Sequence, residues 1–151
     1  KLNWPSVFNA AQRLQYFVDR AKRGTVCRWW EVDFAKPKYA VMLNATWPPE
    51  RDVIFVFTTT QGEFYTSKRF EADIIRIPPR KYSFLPDPDE TILNFRQFYQ
   101  RECRTVCGHR DFTIEGDLLD DDLRDIDSVL RHSDRIAPAH RELILSRDGS
   151  P

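Results

Sequence analysis

Lysine, threonine, glutamine and tyrosine side chains lie near the ends of the apolar runs of this sequence, where a folded sheet can present them together. The residues are Lys36, Lys38, Tyr39, Thr58, Thr59, Thr60, Gln61, Tyr65, Lys68 and Arg69. Cations and hydroxyls hold a phosphodiester, and aromatic rings stack on unpaired bases. These side chains therefore indicate a nucleic-acid-binding surface, although threonine is also common in strands and lysine is common in solvated loops.

Nucleotide-binding and hydrolase motifs are absent from the sequence. A glycine-rich phosphate loop is excluded, because the five glycines lie far apart and none is followed by Lys-Ser or Lys-Thr. No Gly-x-Ser-x-Gly segment marks a hydrolase nucleophile. His132 and His140 each lie alone in the acidic C-terminal region, a pattern more typical of helix-surface histidines than of catalytic bases.

Cysteine usage favours free thiols. Cys27, Cys103 and Cys107 are an odd number in a chain long enough to fold without disulfides, which favours a reducing compartment. Cys103, Cys107 and His109 fall within seven residues and Cys27 could add a fourth ligand, yet no second cysteine pair completes a typical structural zinc site. We therefore expect unpaired cysteines, no bound metal and no cofactor.

The composition is that of one globular domain. The 151 residues can bury a core, and 41% of them are hydrophobic, which excludes a disordered chain. No apolar run reaches the roughly 18–20 residues that a membrane-spanning helix needs. The first residues contain no apolar signal-peptide stretch. These observations predict a single domain over residues 1–151 that is soluble, cytoplasmic and without a membrane partner.

Helical periodicity marks both ends of the chain. Apolar side chains from Val7 to Ala21 recur every three or four residues, which predicts an amphipathic N-terminal helix over 6–23, ended by Gly24. Asp120 suits the start of a second helix, and Pro138 suits a restart. We therefore predict a helical segment over residues 120–145, containing one or two helices.

Strand-like patterns fill the part of the chain between the helices, at 26–34, 39–43, 52–59, 63–67, 70–77, 90–95 and 112–114. Because no helix alternates with these strands, they predict an α+β fold whose middle, residues 24–118, is an antiparallel β-barrel of five to six strands or a strongly coiled sheet. Lys38 opens one strand and Thr59 ends the next. Antiparallel pairing would therefore place both residues at the same end of the sheet.

Five segments follow one another in an order typical of a known family. They are WWEVDF at 29–34, KYAVML at 38–43, FVFTTTQ at 55–61, ETILNFR at 90–96, and FTIEGDL at 112–118 with DDL at 121–123. A basic residue before a Val-rich strand, and a strand ending in Thr/Ser and Gln, resemble the MazF/PemK-like toxins of toxin–antitoxin systems. The resemblance covers roughly residues 24–132.

The resemblance implies an SH3-like barrel that forms a homodimer, is bound by an antitoxin protein and cleaves single-stranded RNA without a metal. It implies that Lys38 supplies charge to the phosphate and that Thr59 bonds the phosphate or helps move a proton. With the strand-end side chains named above, the candidate RNA contacts are Lys36, Tyr39, Thr60, Gln61, Tyr65, Lys68 and Arg69. Trp29, Tyr39 and Tyr65 are candidates for stacking on bases, and each is equally consistent with a place in the core or at an interface.

Two features depart from the family pattern. Lys38 stands where the family has arginine, and an ammonium cannot make the bidentate phosphate contact of a guanidinium. The N-terminal helix is additional to the family pattern. Two alternative functions stay open from the sequence: a nucleic-acid-binding barrel without turnover, and a module that binds only protein.

Overall fold

The computed structural model describes residues 2–3, 8–44, 52–60, 69–86 and 89–145. The strands are β1 (Leu2–Asn3), β2 (Thr25–Glu31), β3 (Lys36–Met42), β4 (Val53–Thr59), β5 (Ile74–Ile77), β6 (Thr91–Asn94), β7 (Tyr99–Arg101) and β8 (Thr113–Asp117). The helices are α1 (Ala10–Arg20), α2 (Cys103–Cys107), α3 (Asp120–His132) and α4 (Pro138–Leu145). Short 3₁₀ turns occupy Val32–Phe34 and Glu71–Asp73. The predicted α+β class is confirmed.

All strand pairs in the described residues are antiparallel, as predicted. Seven strands follow the order β1-β8-β2-β3-β4-β6-β5, and β7 pairs with β4 next to β6. Within the described ranges this path is not closed into a barrel, since β1 and β5 lie at its two ends. The described residues contain eight strands, more than the expected five to six, because β1 and β7 are too short to give a periodic signal. The strand predicted at 63–67 lies outside the described residues.

The sheet buries both faces, which explains the continuous apolar run of β4. Ile54 and Val56 pack into a mainly aliphatic cluster covered by α3 and α4, through residues such as Ile126 and Ile144. The alternate side chains of β4, such as Phe57, pack into an aromatic-rich cluster with Trp29, covered by α1 and α2. We call these two sides the aliphatic face and the aromatic face. A strand that is buried on both faces has no polar alternation.

The N-terminal helix is shorter than the predicted 6–23. It begins after Asn9, whose side chain accepts a hydrogen bond from the Gln12 N–H, while the Gln12 side chain accepts one from the Asn9 N–H. This reciprocal capping box fixes the start, and residues 6–7 lie outside the described ranges. At the other end Thr25 Oγ1 accepts from the Lys22 N–H at 2.9 Å, turning the chain toward β2.

The predicted C-terminal helical segment is two helices, α3 and α4, separated by residues 133–137. Arg141 of α4 donates hydrogen bonds to the carbonyl oxygens of Leu130, Arg131 and Ser133 at the end of α3. These carbonyls have no partner within their own helix, so a cation there both satisfies and stabilises the helix end. The break at 133–137 therefore folds α4 back beside α3.

Candidate functional site

The register of β3 and β4 brings the two predicted catalytic residues to one end of the sheet. Ala40 pairs with Phe57 and Val41 with Val56, and the same register continued by two residues places Lys38 opposite Thr59. Lys36, Lys38, Thr58 and Thr59 all line two grooves at this end. We call these four residues the rim.

The larger groove lies on the aromatic face and has a volume of about 300 Å³. Besides the rim, its described lining consists of Phe34, Phe57, Asn94, Gln97 and Tyr99. Phe34 is 46% exposed and meets Phe57 edge-on, with ring centroids 5.7 Å apart. This groove therefore combines two cations with hydroxyl, carboxamide and aromatic groups, and its described lining contains no carboxylate.

The smaller groove lies on the opposite, aliphatic face and has a volume of about 180 Å³. Besides the rim, its described lining consists of Pro37, Tyr39, Thr60 and Pro86. Tyr39 packs against the aliphatic cluster, and the Arg28 guanidinium lies 5.9 Å from its ring centroid. Lys36 and Lys38 also line this groove, and no acidic residue is among its described lining residues.

Lys38 is held at the rim by its neighbours. Its Nζ donates a hydrogen bond to the Thr58 carbonyl oxygen at 2.8 Å and lies 5.2 Å from the Phe34 ring centroid. Burial lowers the pKa of Lys38, and the positive charge of Lys36 lowers it further. In the described part of the chain no carboxylate pairs with this ammonium, which retains two further donors for an anion. An anion at the rim would offset this unfavourable burial.

The predicted contacts divide into three groups. Lys36, Lys38, Tyr39, Thr59 and Thr60 are brought together around the rim. Arg69 is described but lines neither groove, and its φ of +60° places it in a tight turn. Gln61, Tyr65 and Lys68 lie outside the described residues.

Trp29 cannot stack on a base, because its side chain is fully buried in the aromatic cluster. Its strand position explains this burial. Trp29 is paired with Lys38 within the sheet, not at an exposed edge, and its ring packs between Phe55, Phe57 and Phe112. Of the roles that the sequence leaves open for Trp29, stacking on a base is therefore wrong and packing in the core is confirmed.

Sequence reasoning missed several residues of the larger groove, namely Phe34, Asn94, Gln97 and Tyr99. Asn94 could have been found, since the β4–β6 register, Thr58 with Leu93, continues to place it opposite Phe57. Tyr99 and Gln97 lie at the start of β7 or just before it, in a region without clear periodicity. Phe34 lies in the 3₁₀ turn that replaces the predicted end of the first strand.

A buried polar network supports the aromatic face beside the larger groove. The Glu31 carboxylate, only 2% exposed, forms an ion pair with Arg101 at 2.5 Å. Arg101 also contacts Nε2 of His109 at 3.2 Å, and its guanidinium lies 5.8 Å from the ring centroid of Tyr99. Burial lowers the pKa of His109, as does the adjacent Arg101 charge, whereas Glu31 opposes both effects. A neutral His109 is therefore favoured, stacked in parallel on Trp29.

The three cysteines are free and buried in the aromatic cluster. Burial raises the pKa of Cys103 to about 12 and that of Cys107 to about 11, so both thiols stay protonated near neutral pH. His109 makes its contacts with Arg101 and Trp29 instead. Among the residues that the structure describes, no group of three His, Cys, Asp or Glu side chains is arranged to hold a metal ion.

No family model, curated protein or solved structure matches the chain. Within the described residues no helix has the length and apolar character needed to cross a bilayer. The functional argument therefore rests on the charge, hydrogen-bonding groups and aromatic rings at the rim and in its two grooves.

Proposed function

We propose that this chain binds single-stranded RNA at the rim and cleaves it as a metal-independent endoribonuclease of the MazF/PemK-like type. The observation that carries the proposal is the half-buried Lys38 ammonium, which has no described counter-ion and lies beside Thr59 in a groove lined by cations and aromatic rings. Such a groove fits a phosphodiester with unpaired bases, since cations hold the phosphate and rings stack on the bases.

The proposed reaction uses the RNA's own nucleophile. The 2′-oxygen attacks the adjacent phosphorus while the bond from phosphorus to the 5′-oxygen breaks, giving a 2′,3′-cyclic phosphate and a 5′-hydroxyl. One proton leaves the 2′-hydroxyl and one is added to the departing 5′-oxygen. Lys38 stabilises the negative charge that grows on the phosphoryl oxygens, and Thr59 hydrogen-bonds the phosphate or helps move a proton. Lys36 adds charge to the same groove.

The proposal extends to the molecule's wider organisation. It includes an SH3-like barrel core, a homodimer, an antitoxin protein as partner and a cytoplasmic location. The support for these features is the order of the sequence segments that resemble the family, together with the antiparallel pairing of β2, β3 and β4. Gln61, Tyr65, Lys68 and Arg69 are included as outer RNA contacts.

Lys38→Ala, Lys38→Arg and Thr59→Val test the proposal. Losing the Lys38 charge should raise the barrier by about 2–4 kcal/mol, the cost of one lost oxyanion donor. That is roughly a 30- to 1000-fold loss in kcat/KM. Lys38→Arg should keep or raise activity, since a guanidinium makes the bidentate contact. Thr59→Val is nearly isosteric and should reduce cleavage while leaving the fold intact.

Cleavage of a mixed single-stranded RNA is measured with and without EDTA, after circular dichroism has shown that each variant is folded. Lys22→Ala, which removes an exposed lysine that lines neither groove, is the matched control and should cleave like the parent. Parent-like cleavage by both Lys38→Ala and Thr59→Val would show that the site is misplaced. RNA binding without cleavage by the parent would favour the nucleic-acid-binding alternative, and no RNA binding would favour the protein-binding one.

A further inference from the structure

The two grooves meet only at the rim, because they lie on opposite faces of the same pair of strands. Side chains alternate along a strand, so Lys38 and Phe57 face the aromatic side while Tyr39 and Val56 face the aliphatic side. Both grooves share the four rim residues and no other described residue. A ligand that used both grooves would therefore have to pass over the end of the β3–β4 pair, where Lys38 lies.

Each groove is lined by an aromatic ring that is not fully buried. The larger groove has Phe34, which is nearly half exposed, and Tyr99. The smaller groove has Tyr39, half-buried and close to the Arg28 guanidinium. Unpaired bases stack on such rings whatever their sequence, and a nearby arginine adds a cation–π contribution.

The charge distribution identifies the chemistry of the ligand. Lys36 and Lys38 line both grooves, and neither described lining contains an aspartate or glutamate. The anion is therefore expected at the rim itself, with apolar and hydrogen-bonding groups to either side. A polynucleotide presents this order, since each phosphate is flanked by two nucleosides.

We propose that a single-stranded polynucleotide passes over the end of the β3–β4 pair with one phosphate at Lys38, one flanking base in the Phe34 groove and the other in the Tyr39 groove. This inference rests on the RNA binding of the proposed function and adds the positions of the two nucleosides. It requires a single strand, because flanking bases can be splayed to opposite faces only when they are neither paired nor stacked on each other. Phe34 and Tyr39 then each contact a different base.

The test uses a dinucleoside monophosphate with 2′-O-methyl groups, which binds without being cleaved, and its two derivatives in which one base or the other is missing. Affinities are measured by NMR titration for the parent, Phe34→Leu and Tyr39→Leu. Leucine keeps apolar contact with the core but removes the aromatic plane. Trp30→Leu, an aromatic change on β2 outside both grooves, is the matched control.

For the parent, removing either base should weaken binding roughly 5- to 100-fold, the scale of one stacked base. In Phe34→Leu the penalty for losing one base should disappear while the other remains, and in Tyr39→Leu the pattern should reverse. Trp30→Leu should show both penalties. This cross pattern requires two separate nucleoside positions, which a general loss of stability would not produce.

The outcomes distinguish this inference from the proposed function. Suppose that the parent cleaves RNA, but that Phe34→Leu and Tyr39→Leu both become insensitive to removal of the same base, or that neither becomes insensitive to removal of any base. The two-sided binding is then wrong, while the endoribonuclease proposal stands. If the cross pattern is found without any cleavage of unmodified RNA, the two-sided binding is correct and the protein is a binding module. Absence of any nucleotide binding would overturn both.

Discussion

Replacing Arg101 with methionine should destabilise the fold strongly, because it leaves the Glu31 carboxylate buried without a counter-ion. The side chain of Glu31 is 3% exposed and that of Arg101 is 19% exposed, so water cannot replace the lost partner. Removing one member of a buried ion pair typically costs about 3–5 kcal/mol. Methionine keeps an unbranched apolar side chain at this position, while the guanidinium and its approach to the Phe55 and Tyr99 rings are lost with the charge.

The companion change is Glu31→Gln, which alone leaves the Arg101 charge unpaired and should also be destabilising. The double variant Glu31→Gln/Arg101→Met removes both charges and should be much closer to the parent than the sum of the two single losses. Replacing a buried pair with neutral groups is often neutral for stability. The interaction free energy between Glu31 and Arg101, obtained from this double-mutant cycle, should therefore be a substantial part of the free energy that each single variant loses.

Urea unfolding at neutral pH, followed by circular dichroism, measures the four free energies of the cycle. Arg104→Met is the matched control, because Arg104 and Glu102 form a 3.4 Å pair in which both side chains are mostly exposed. An exposed pair contributes only about 0–1 kcal/mol. A loss for Arg101→Met no larger than that control, or additive losses in the double variant, would refute the assignment of Glu31 as a buried charge that depends on Arg101.

Two further predictions concern stability. The pKa of His109 in the folded protein lies below its unfolded value of about 6.5. Between these two pKa values the unfolded chain binds more protons, so the free energy of unfolding should fall as the pH drops through that window. In urea unfolding at pH 7.5 and pH 5, His109→Gln should lose less stability at the lower pH than the parent does, and an equal loss would contradict this assignment. Gly24 has a φ of +90°, and a Cβ added there would clash with Leu123 Cδ2. Gly24→Ala should therefore lower stability by about 1–2 kcal/mol from the left-handed backbone alone, and an unchanged thermal midpoint would show that this turn relaxes freely.

The sequence predicted the elements whose periodicity is long and unambiguous. Residues 53–59 carry seven strand positions with almost no polar interruption, and α1 carries an apolar stripe over three turns. Boundaries were less accurate, because they depend on single hydrogen bonds such as the Asn9 cap. The apolar run of β4 reflects burial on two faces, which periodicity alone does not distinguish from other kinds of burial.

The prediction that Lys38 and Thr59 lie close together depended only on the order of the strands along the chain, and the sequence shows that order. A strand that opens with a lysine and the following strand that ends with threonines must share an end when they pair as neighbours. Phe34 and Tyr99 could not be placed in this way, because both belong to short irregular segments whose positions depend on long-range contacts. Arg101 and Glu31 are similarly separated by 70 positions, so their pairing has no local signal.

The charge pattern along the sequence becomes interpretable only after folding. The surplus of cations in residues 1–44 and the surplus of acids in residues 111–151 partly neutralise each other, since Arg20 pairs with Asp117 at 2.8 Å and Arg23 with Asp127 at 2.9 Å. Within the described residues, Lys36 and Lys38 take no part in such ion pairs. The net charge of zero therefore coexists with a local positive potential at the rim, and the local potential is the quantity that decides whether a phosphate binds there.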